Sequence, residues 1–590
     1  MSVSEFISSI PMFREFPDIR RRYVVDTTDV GDVPENGISR MALEIALHRG
    51  VERDGLLQFF DGKFDIGDIS RIPGMADAVK IIGRAIAKKE TIGIVGDYDV
   101  DGATSVSTMV LFLRNAGVPD ENIHYYIPQR LTEGYGLNET AVRHLHGLGC
   151  SVLMTLDSGT LSNGPLSVAV EELGMDAIVV DHHLPGPGWV RPEGIIVNPK
   201  IDDECPVAYQ DLCTAGLIFV MLNGIRRELR DIHGFESVPG LIELSGLAAL
   251  GTVADLVPLT NLNRQIVRNG LRHMLDTTGL AALVNKVSLD ERGNRRVVNA
   301  RTLGFGVGPC INAAGRISDC MKGSNLLTAV SPGDASVMAD DLHALNRERQ
   351  LLQRATEAMA IDMASVMIDE TASVIIVRNE EWHPGVIGIV ASKIVSTYDR
   401  PAIVIGAGGK GSGRSIHGFD LGSAVIRARK AGLIASGGGH AAACGLTVDN
   451  TRYEEFLDFM RQESKDIVRT PKKADYVMPL SSLTIAMTRD LEKLAPFGMG
   501  NPEPRIILTG CHLTSFRWIG KDKTHLRMEL ECDGFRHSAV MWSVKGTEVQ
   551  RFIEDIDFEK SFSVVASVSF NPDYPNKVDI KVSDMVEEIK

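Results

Sequence analysis

The chain has 590 residues, 44% of them apolar and 24% charged, with a net charge of −15. That length exceeds what one hydrophobic core serves, since compact domains stop growing at about 250 residues, so three or four domains are expected. The composition excludes a disordered or fibrous chain, and the acidic balance excludes a protein that coats duplex DNA by bulk attraction to phosphate. No uninterrupted apolar run reaches the roughly 20 residues that cross a bilayer, and the first residues lack a basic start followed by an apolar segment, so a soluble cytoplasmic protein without membrane contact is expected. Cys150, Cys205, Cys213, Cys310, Cys320, Cys444, Cys511 and Cys532 contain no CxxC pair and read as reduced core thiols.

Residues 1–75 carry mixed helical signals broken by Pro34, Gly37 and Pro73-Gly74 and are read as an N-terminal helical segment. From about Glu90 short apolar runs alternate with amphipathic stretches, the pattern of a parallel sheet flanked by helices, which makes 76–333 an α/β domain. The runs are Ile92 to Val95, Val152 to Leu156, Ala177 to Val180 and Ile195 to Val197. Apolar spacing of three and four without proline or glycine predicts one long connecting helix over 334–369. A second α/β lobe follows at 370–470, with strands expected at Val374 to Val377 and Ala402 to Ile405. Alternating strands such as Leu526 to Leu530 and Phe562 to Val568 predict a small β-barrel over 475–590.

In open parallel sheets, ligands bind beyond the carboxyl ends of the strands. Polar clusters follow all four runs: Gly96 to Gly102 (GDYDVDG), Asp157-Ser158-Gly159, Asp181-His182-His183 and Asn198-Pro199-Lys200. A further acid, Asp255, ends the apolar helix of Gly251 to Asp255 (GTVAD). Aspartates gathered on one edge repel one another unless cations sit between them. Hard oxygen ligands with one or two imidazoles suit Mn²⁺ or Mg²⁺ better than zinc. Asp99 and Asp101, two apart in a loop, can face two ions, and Asp157 can bridge both. A pair of ions about 3.5 to 4 Å apart makes phosphodiester hydrolysis the natural reaction class. A lone DxD or HH is ordinarily a surface turn; five clusters timed to element ends are harder to dismiss.

Asp97 to Gly102 (DYDVDG) and Asp181-His182-His183 resemble the signatures of the DHH phosphoesterase superfamily. The RecJ branch is indicated by Ile127 to Arg130 (IPQR), Glu133 to Gly136 (EGYG), Gly251 to Leu259 (GTVADLVPL), Asn312 to Arg316 (NAAGR), Trp382 to Ser392 (WHPGVIGIVAS), Gly411 to Ser415 (GSGRS), Gly437 to Gly445 (GGGHAAACG) and Leu494 to Pro504 (LAPFGMGNPEP). The resemblance runs from about residue 20 to nearly the end. It implies a DHH lobe, a DHH-associated lobe and an oligonucleotide-binding (OB-fold) barrel around a cleft for single-stranded DNA, and a two-metal, 5′-to-3′ exonuclease serving DNA recombination and repair. By resemblance the metal ligands are Asp97, Asp99, Asp101, Asp157, His182 and Asp255, with Asp97 the one most suited to supporting the others. Asp157 and His183 are the catalytic candidates, His183 as an acid–base group. Two departures stand out: Cys310 occupies a position where arginine is expected, removing one cation from the DNA path, and Ser158 stands where relatives often carry cysteine.

Arg130, Ser412, Arg414 and Ser415 offer a guanidinium fork, hydroxyls and glycine-rich amides suited to a 5′-phosphate, with Arg316 beside the strand; alternatively Arg130 pairs with Glu133 and Arg414 with a nearby acid. Gly437 to His440 either lines the departing nucleotide, with His440 touching it, or makes a tight turn. His383 either caps a helix or meets substrate. In the barrel, Arg517, Lys521, Lys523, Arg527, Arg536 and Lys545 interleave with Phe516, Trp518, Phe535 and Trp542, as a sequence-tolerant single-strand groove does. The rival readings are a DHH enzyme for short RNAs or cyclic dinucleotides, and a non-catalytic replication subunit. A monomer cooperating with a helicase and a single-strand-binding protein is expected.

Overall fold

The computed structural model describes residues 23–587 apart from 27, 29, 32–36, 63, 131, 187, 291–292, 368–372, 466, 468–471, 546–547, 572–573 and 575. The chain forms two compact units: one joins residues up to 64 with 258–261 and 471–590, the other spans 65–257 and 262–470. Among the described residues no helix is long and apolar enough to cross a membrane.

The larger unit holds two lobes. In the first, β1 (Ile92–Gly96), β2 (Ile123–Tyr126), β3 (Val152–Leu156), β4 (Asp176–Val180) and β5 (Ile195–Val197) form an all-parallel sheet in the order β2-β1-β3-β4-β5. β1 and β3 are buried at every position, which is why they read as unbroken apolar runs. β2, with the sequence IHYY, escaped the sequence reading because it lies at the sheet edge, where only Ile123 is fully buried. The strand order reverses between β1 and β3, and such a switch point opens a crevice at the carboxyl ends of those two strands. Asp97 and Asp157 are the residues that follow them.

Helix α1 (Val100–Asn115) leaves the β1 loop and packs against α2 (Thr214–Asp231) and α3 (Ser245–Ala254). It is buried almost all round, so small residues line it, and Gly251 of α3 meets it closely: a Cβ there would lie 2.5 Å from Thr104 Oγ1. After α4 (Gly308–Ile317), the connecting helix α5 runs over Pro332–Met367, 36 residues or about 54 Å. The last two residues of the expected helix, 368 and 369, lie outside the described ones.

The second lobe is a mixed sheet. β6 (Ile375–Arg378) pairs in parallel with β7 (Ala402–Ile405), and β8 (Lys410–Arg414), β10 (Ala443–Thr447) and β9 (Ser436–His440) continue it antiparallel. α6 (Pro384–Tyr398) covers β7 and β8, and α7 (Leu421–Lys430) packs on β9 and β10. Both glycine-rich motifs are therefore strands, which corrects the alternative that Gly437 to His440 is a tight turn. Glycine is needed there for packing: a Cβ on Gly413 would lie 2.5 Å from Cys444 Sγ, and one on Gly437 2.7 Å from Ile434.

In the smaller unit, Ile506–Ile519, His525–Cys532, Phe535–Met541, Val578–Glu587 and Phe562–Phe570 pair in that order, and the last strand pairs back to the first, closing a five-stranded barrel. Of the residues read as an amino-terminal segment, the described ones up to 64 fall in this unit and 65–75 in the larger one. Tyr23–Val25 is a strand paired with Lys472–Ala474, Met41, Leu43 and Ile45 of helix Arg40–His48 are buried, and Arg49 bonds Asp475 (2.8 Å) and Asn501 (2.7 Å). The barrel cations Arg517, Lys521, Lys523, Arg527, Arg536 and Lys545 are all exposed. Of the interleaved aromatics, Phe535 and Trp542 are open, whereas Phe516 and Trp518 lean on the barrel core and offer less free ring face than expected.

Candidate active site

Four sequence segments converge at the switch point. Asp97, just past β1, is buried and its Oδ1 has no hydrogen-bond partner. Asp99 is the N-cap of α1, its Oδ1 accepting from the amides of Asp101 (2.9 Å) and Gly102 (3.1 Å), as short acids do at helix starts. Asp101 lies within the first turn of α1 rather than in a loop. Both of its oxygens are held at the start of α2, where Thr214 N and Ala215 N each donate at 2.8 Å. Asp157 follows β3 with a left-handed backbone (φ 64°), a conformation costly for a residue with a side chain. It takes a hydrogen bond from Thr214 Oγ1 (3.1 Å). Asp255 ends α3.

His182 stands among these acids, with Nε2 3.5 Å from Asp157 Oδ1, 3.5 Å from Asp255 Oδ2 and 3.9 Å from Asp101 Oδ2. Neither ring nitrogen has a hydrogen-bond partner, although both are buried. Burial pulls its pKa down to about 4, so the imidazole is neutral and its lone pair free. Burial, then mutual repulsion, pushes the carboxyls of Asp97 and Asp255 up to about 8 and those of Asp101 and Asp157 upward as well. Buried acids with raised pKa values around an unsatisfied neutral imidazole form a donor set that divalent cations complete.

Three sets of ligand atoms each lie within 4.8 Å of one another: Asp97, Asp99 and Asp157; Asp101, His182 and Asp255; and Asp157, His182 and His183. Asp99 and Asp101 fall in different sets, and Asp157 is shared. Asp97 stands among the ligand atoms themselves. These residues fit two hard divalent cations.

His183 is turned outward, its side chain 48% exposed. Its Nδ1 lies 2.7 Å from Asp181 Oδ1 and 3.2 Å from the Tyr135 hydroxyl, which itself donates to the Asp157 carbonyl (2.9 Å). Burial works to raise Asp181, but the His183 hydrogen bond and charge and the Thr160 amide bring its carboxyl down to about 2. An ionised Asp181 fixes the His183 tautomer and leaves Nε2 facing out. Asp181 and Tyr135 were given no role in the sequence reading; the signal available was an acid two residues before the outer histidine.

The expected phosphate-binding residues are brought together in part. Arg130 lies over the Tyr98 ring (5.0 Å), and Glu133 instead takes bonds from Tyr126 and from the Gln129 amide, so the Arg130–Glu133 alternative is not observed. Arg414 donates to Ser412 Oγ (3.2 Å) and to the Gly413 carbonyl, and Arg316 donates to the Gly385 carbonyl (2.7 Å). Burial, and then the positive charges of Arg130, Arg349 and Arg414, lower Arg316 to about 10. Ser415 is engaged with the Phe419 carbonyl (2.8 Å). His440 sits exposed at the end of β9, in register with Ala443 and through it with Arg414, two strands or about 9.6 Å away. His383 is a helix cap, its Nδ1 accepting from the Gly385 amide (3.0 Å). Ser158 is buried against Thr155.

Comparison with known proteins follows this division. The DHH family N-terminal domain matches residues 91–252, the DHHA1 domain 371–466 and the RecJ OB domain 474–582. The single-stranded-DNA-specific exonuclease RecJ of Escherichia coli is 33% identical over 455 residues, covering 74% of this chain and 77% of that protein. The chain belongs to the RecJ family. The Bacillus subtilis RecJ is 36% identical over 493 residues; the match covers 80% of this chain but 59% of that longer protein. The Mn²⁺ complex of Thermus thermophilus RecJ superposes with a TM-score of 0.78 at 26% identity, covering 94% of this chain and 77% of that one. A second exonuclease RecJ bound to manganese matches with a TM-score of 0.55 at 30% identity, covering 70% of this chain and 97% of the other. These RecJ crystals hold manganese, the class of ion that the donor set of Asp97, Asp99, Asp101, Asp157, His182 and Asp255 favours.

Proposed function

We propose that this RecJ-family chain is a single-stranded-DNA-specific exonuclease that releases nucleotides from the 5′ end by two-metal phosphodiester hydrolysis. The observation that carries the reading is the meeting of five aspartates around the unsatisfied nitrogens of His182, beside Arg316 and Arg414, which among the described residues bond to carbonyl and hydroxyl oxygens. Names and bound ions of the relatives point the same way.

Asp101, His182 and Asp255 would hold one divalent cation and Asp97, Asp99 and Asp157 the other, with Asp157 also near the first. The cations, when bound, supply an activated water and stabilise the departing oxygen. The residues do the rest. The amides of Thr214 and Ala215 orient Asp101, and the Thr214 hydroxyl orients Asp157. His183, held by Asp181, keeps a proton at Nε2 for the leaving oxygen. Arg130, Arg414 and Ser412 would receive the terminal 5′-phosphate, fixing polarity by stopping the strand at that end. Arg316 adds charge beside them.

The test is digestion of matched single strands labelled at either end, with Mn²⁺, Mg²⁺ or chelator. Release from the 5′ end that requires metal is expected, and Asp157→Ala should abolish it. Metal-dependent release surviving in that variant would remove the assignment of Asp157; release from the 3′ end would remove the polarity.

A further inference from the structure

Helix α5 turns one stripe inward along its length: Ala335, Ala339, Leu342, Thr356, Ala360 and Ala364 follow the three-and-four spacing of a buried face. Two members of that stripe break its character. Asn346 and Arg349 are buried there too, Arg349 only 8% exposed. Arg349 Nε and Nη2 donate to Asn346 Oδ1 (3.2 and 2.6 Å), Nη1 donates to Gln353 Oε1 (2.5 Å), and Asn346 Nδ2 donates to Cys310 Sγ (3.4 Å). All these partners are neutral.

Burying a guanidinium with no carboxylate bonded to it is unfavourable unless an anion completes the site. Among the described residues, Arg349 forms no ion pair. Its fork has five N–H groups, three of them used, which leaves one hydrogen on each terminal nitrogen. That pair is the arrangement with which arginine grips phosphate.

A cavity of about 510 Å³ opens at this point, lined by residues that include Phe305, Asn312, Arg316, Arg349, Gln353 and Arg354. Its one carboxylate, Glu357, is engaged by Gln353 (2.6 Å). Phe305 is 75% exposed, with the Arg301 guanidinium 5.2 Å from its ring. Cations beside an open aromatic face make up the donor set that single-stranded nucleic acid uses. Along α4 the lining extends from Arg316 to Pro309, about 10 Å of helix, so the cavity reaches well beyond the arginine at its end.

We propose that Arg349 and this cavity form a second phosphate subsite, which grips an internal backbone phosphate of the same strand whose end is held at Arg130, Ser412 and Arg414. The inference rests on the exonuclease reading.

The experiment measures binding of a 5′-phosphorylated oligothymidylate by fluorescence anisotropy over a range of salt, with calcium in place of manganese, alongside steady-state digestion with manganese. Arg349→Gln keeps a hydrogen-bonding side chain and removes the charge; Arg349→Lys keeps the charge. Arg349→Gln should weaken binding roughly tenfold and lower the slope of log K against log salt by about 0.7, the share of one single-strand phosphate contact. KM should rise with kcat changing far less, and Arg349→Lys should recover most of the slope. An unchanged slope in Arg349→Gln overturns the proposal, as does an equal loss in both variants with a lowered melting temperature, which would mark Arg349 as structural. Wild-type protein that binds no single strand would instead sink the exonuclease reading beneath it.

Discussion

His182 and His183 are adjacent in sequence and opposite in chemistry, because one faces a buried cluster of carboxylates and the other a single ionised acid at the rim. His182 is kept neutral by burial and has two unsatisfied nitrogens, as a ligand requires. Burial also works against a charged His183, but the hydrogen bond and charge of Asp181 more than reverse this and raise its pKa. A donor with a raised pKa keeps its proton until the pH climbs through that value. Asp181→Asn removes the support, so the alkaline limb of the kcat profile should move to lower pH and kcat should fall by about 10²-fold or more. A pH profile whose alkaline limb stays in place would show that His183 does not supply the proton. The residue types at this site were legible in the sequence because DYDVD, DHH and Asp255 each follow a recognisable element. The partner of each was not: the amides that hold Asp101 come from Thr214 and Ala215, more than a hundred positions away, and Arg349 was hidden inside a helix whose pattern marks only its burial.

At the scale of elements, the site depends on how closely α1 approaches the loop that carries it. Gly102 lies in the first turn of α1, and a Cβ there would sit 2.3 Å from the Asp97 carbonyl oxygen and 2.7 Å from its amide nitrogen. Backbone cannot yield as a flexible side chain can, so Gly102→Ala must push α1 away from the β1 loop. We expect a loss of about 1–3 kcal/mol in stability, from overpacking, and manganese affinity lower than in the wild type. Calorimetric titration with Mn²⁺ checks this; unchanged affinity would show that the loop adapts. Strands buried on both faces announced themselves as apolar runs, whereas β2 did not, since at the sheet edge three of its four residues are only partly covered. The glycine motifs of the second lobe did not read as strands because glycine is a poor strand former; in β8 and β9 it is required at Gly413 and Gly437 because neighbouring side chains fill the space a Cβ would take.

For the whole molecule, the gathered acids link metal binding to stability. Asp97 and Asp255 have carboxyls pushed by burial to about 8 from an unfolded value near 3.9. A group whose folded pKa is raised contributes stability that is complete below its unfolded pKa and is lost as pH rises through the folded one. The metal-free protein should therefore weaken between about pH 5 and pH 8, where cations that bind only the folded state restore what the ionised acids remove. The rise in melting temperature on adding Mn²⁺ should be larger at pH 8 than at pH 5.5, and an equal rise at both would contradict the linkage. The sequence by itself determined the lobes, the long helix, the closed barrel and the clustered acids, because periodicity and the residues at element ends are local properties of the chain. Only the tertiary structure decided that Asp97 stands close to Asp99 and Asp157, that the described residues up to 64 fall in the barrel's unit, and that no carboxylate is bonded to the buried Arg349. Those outcomes depend on which distant segments fill the space around a side chain, and no local pattern of residues records that.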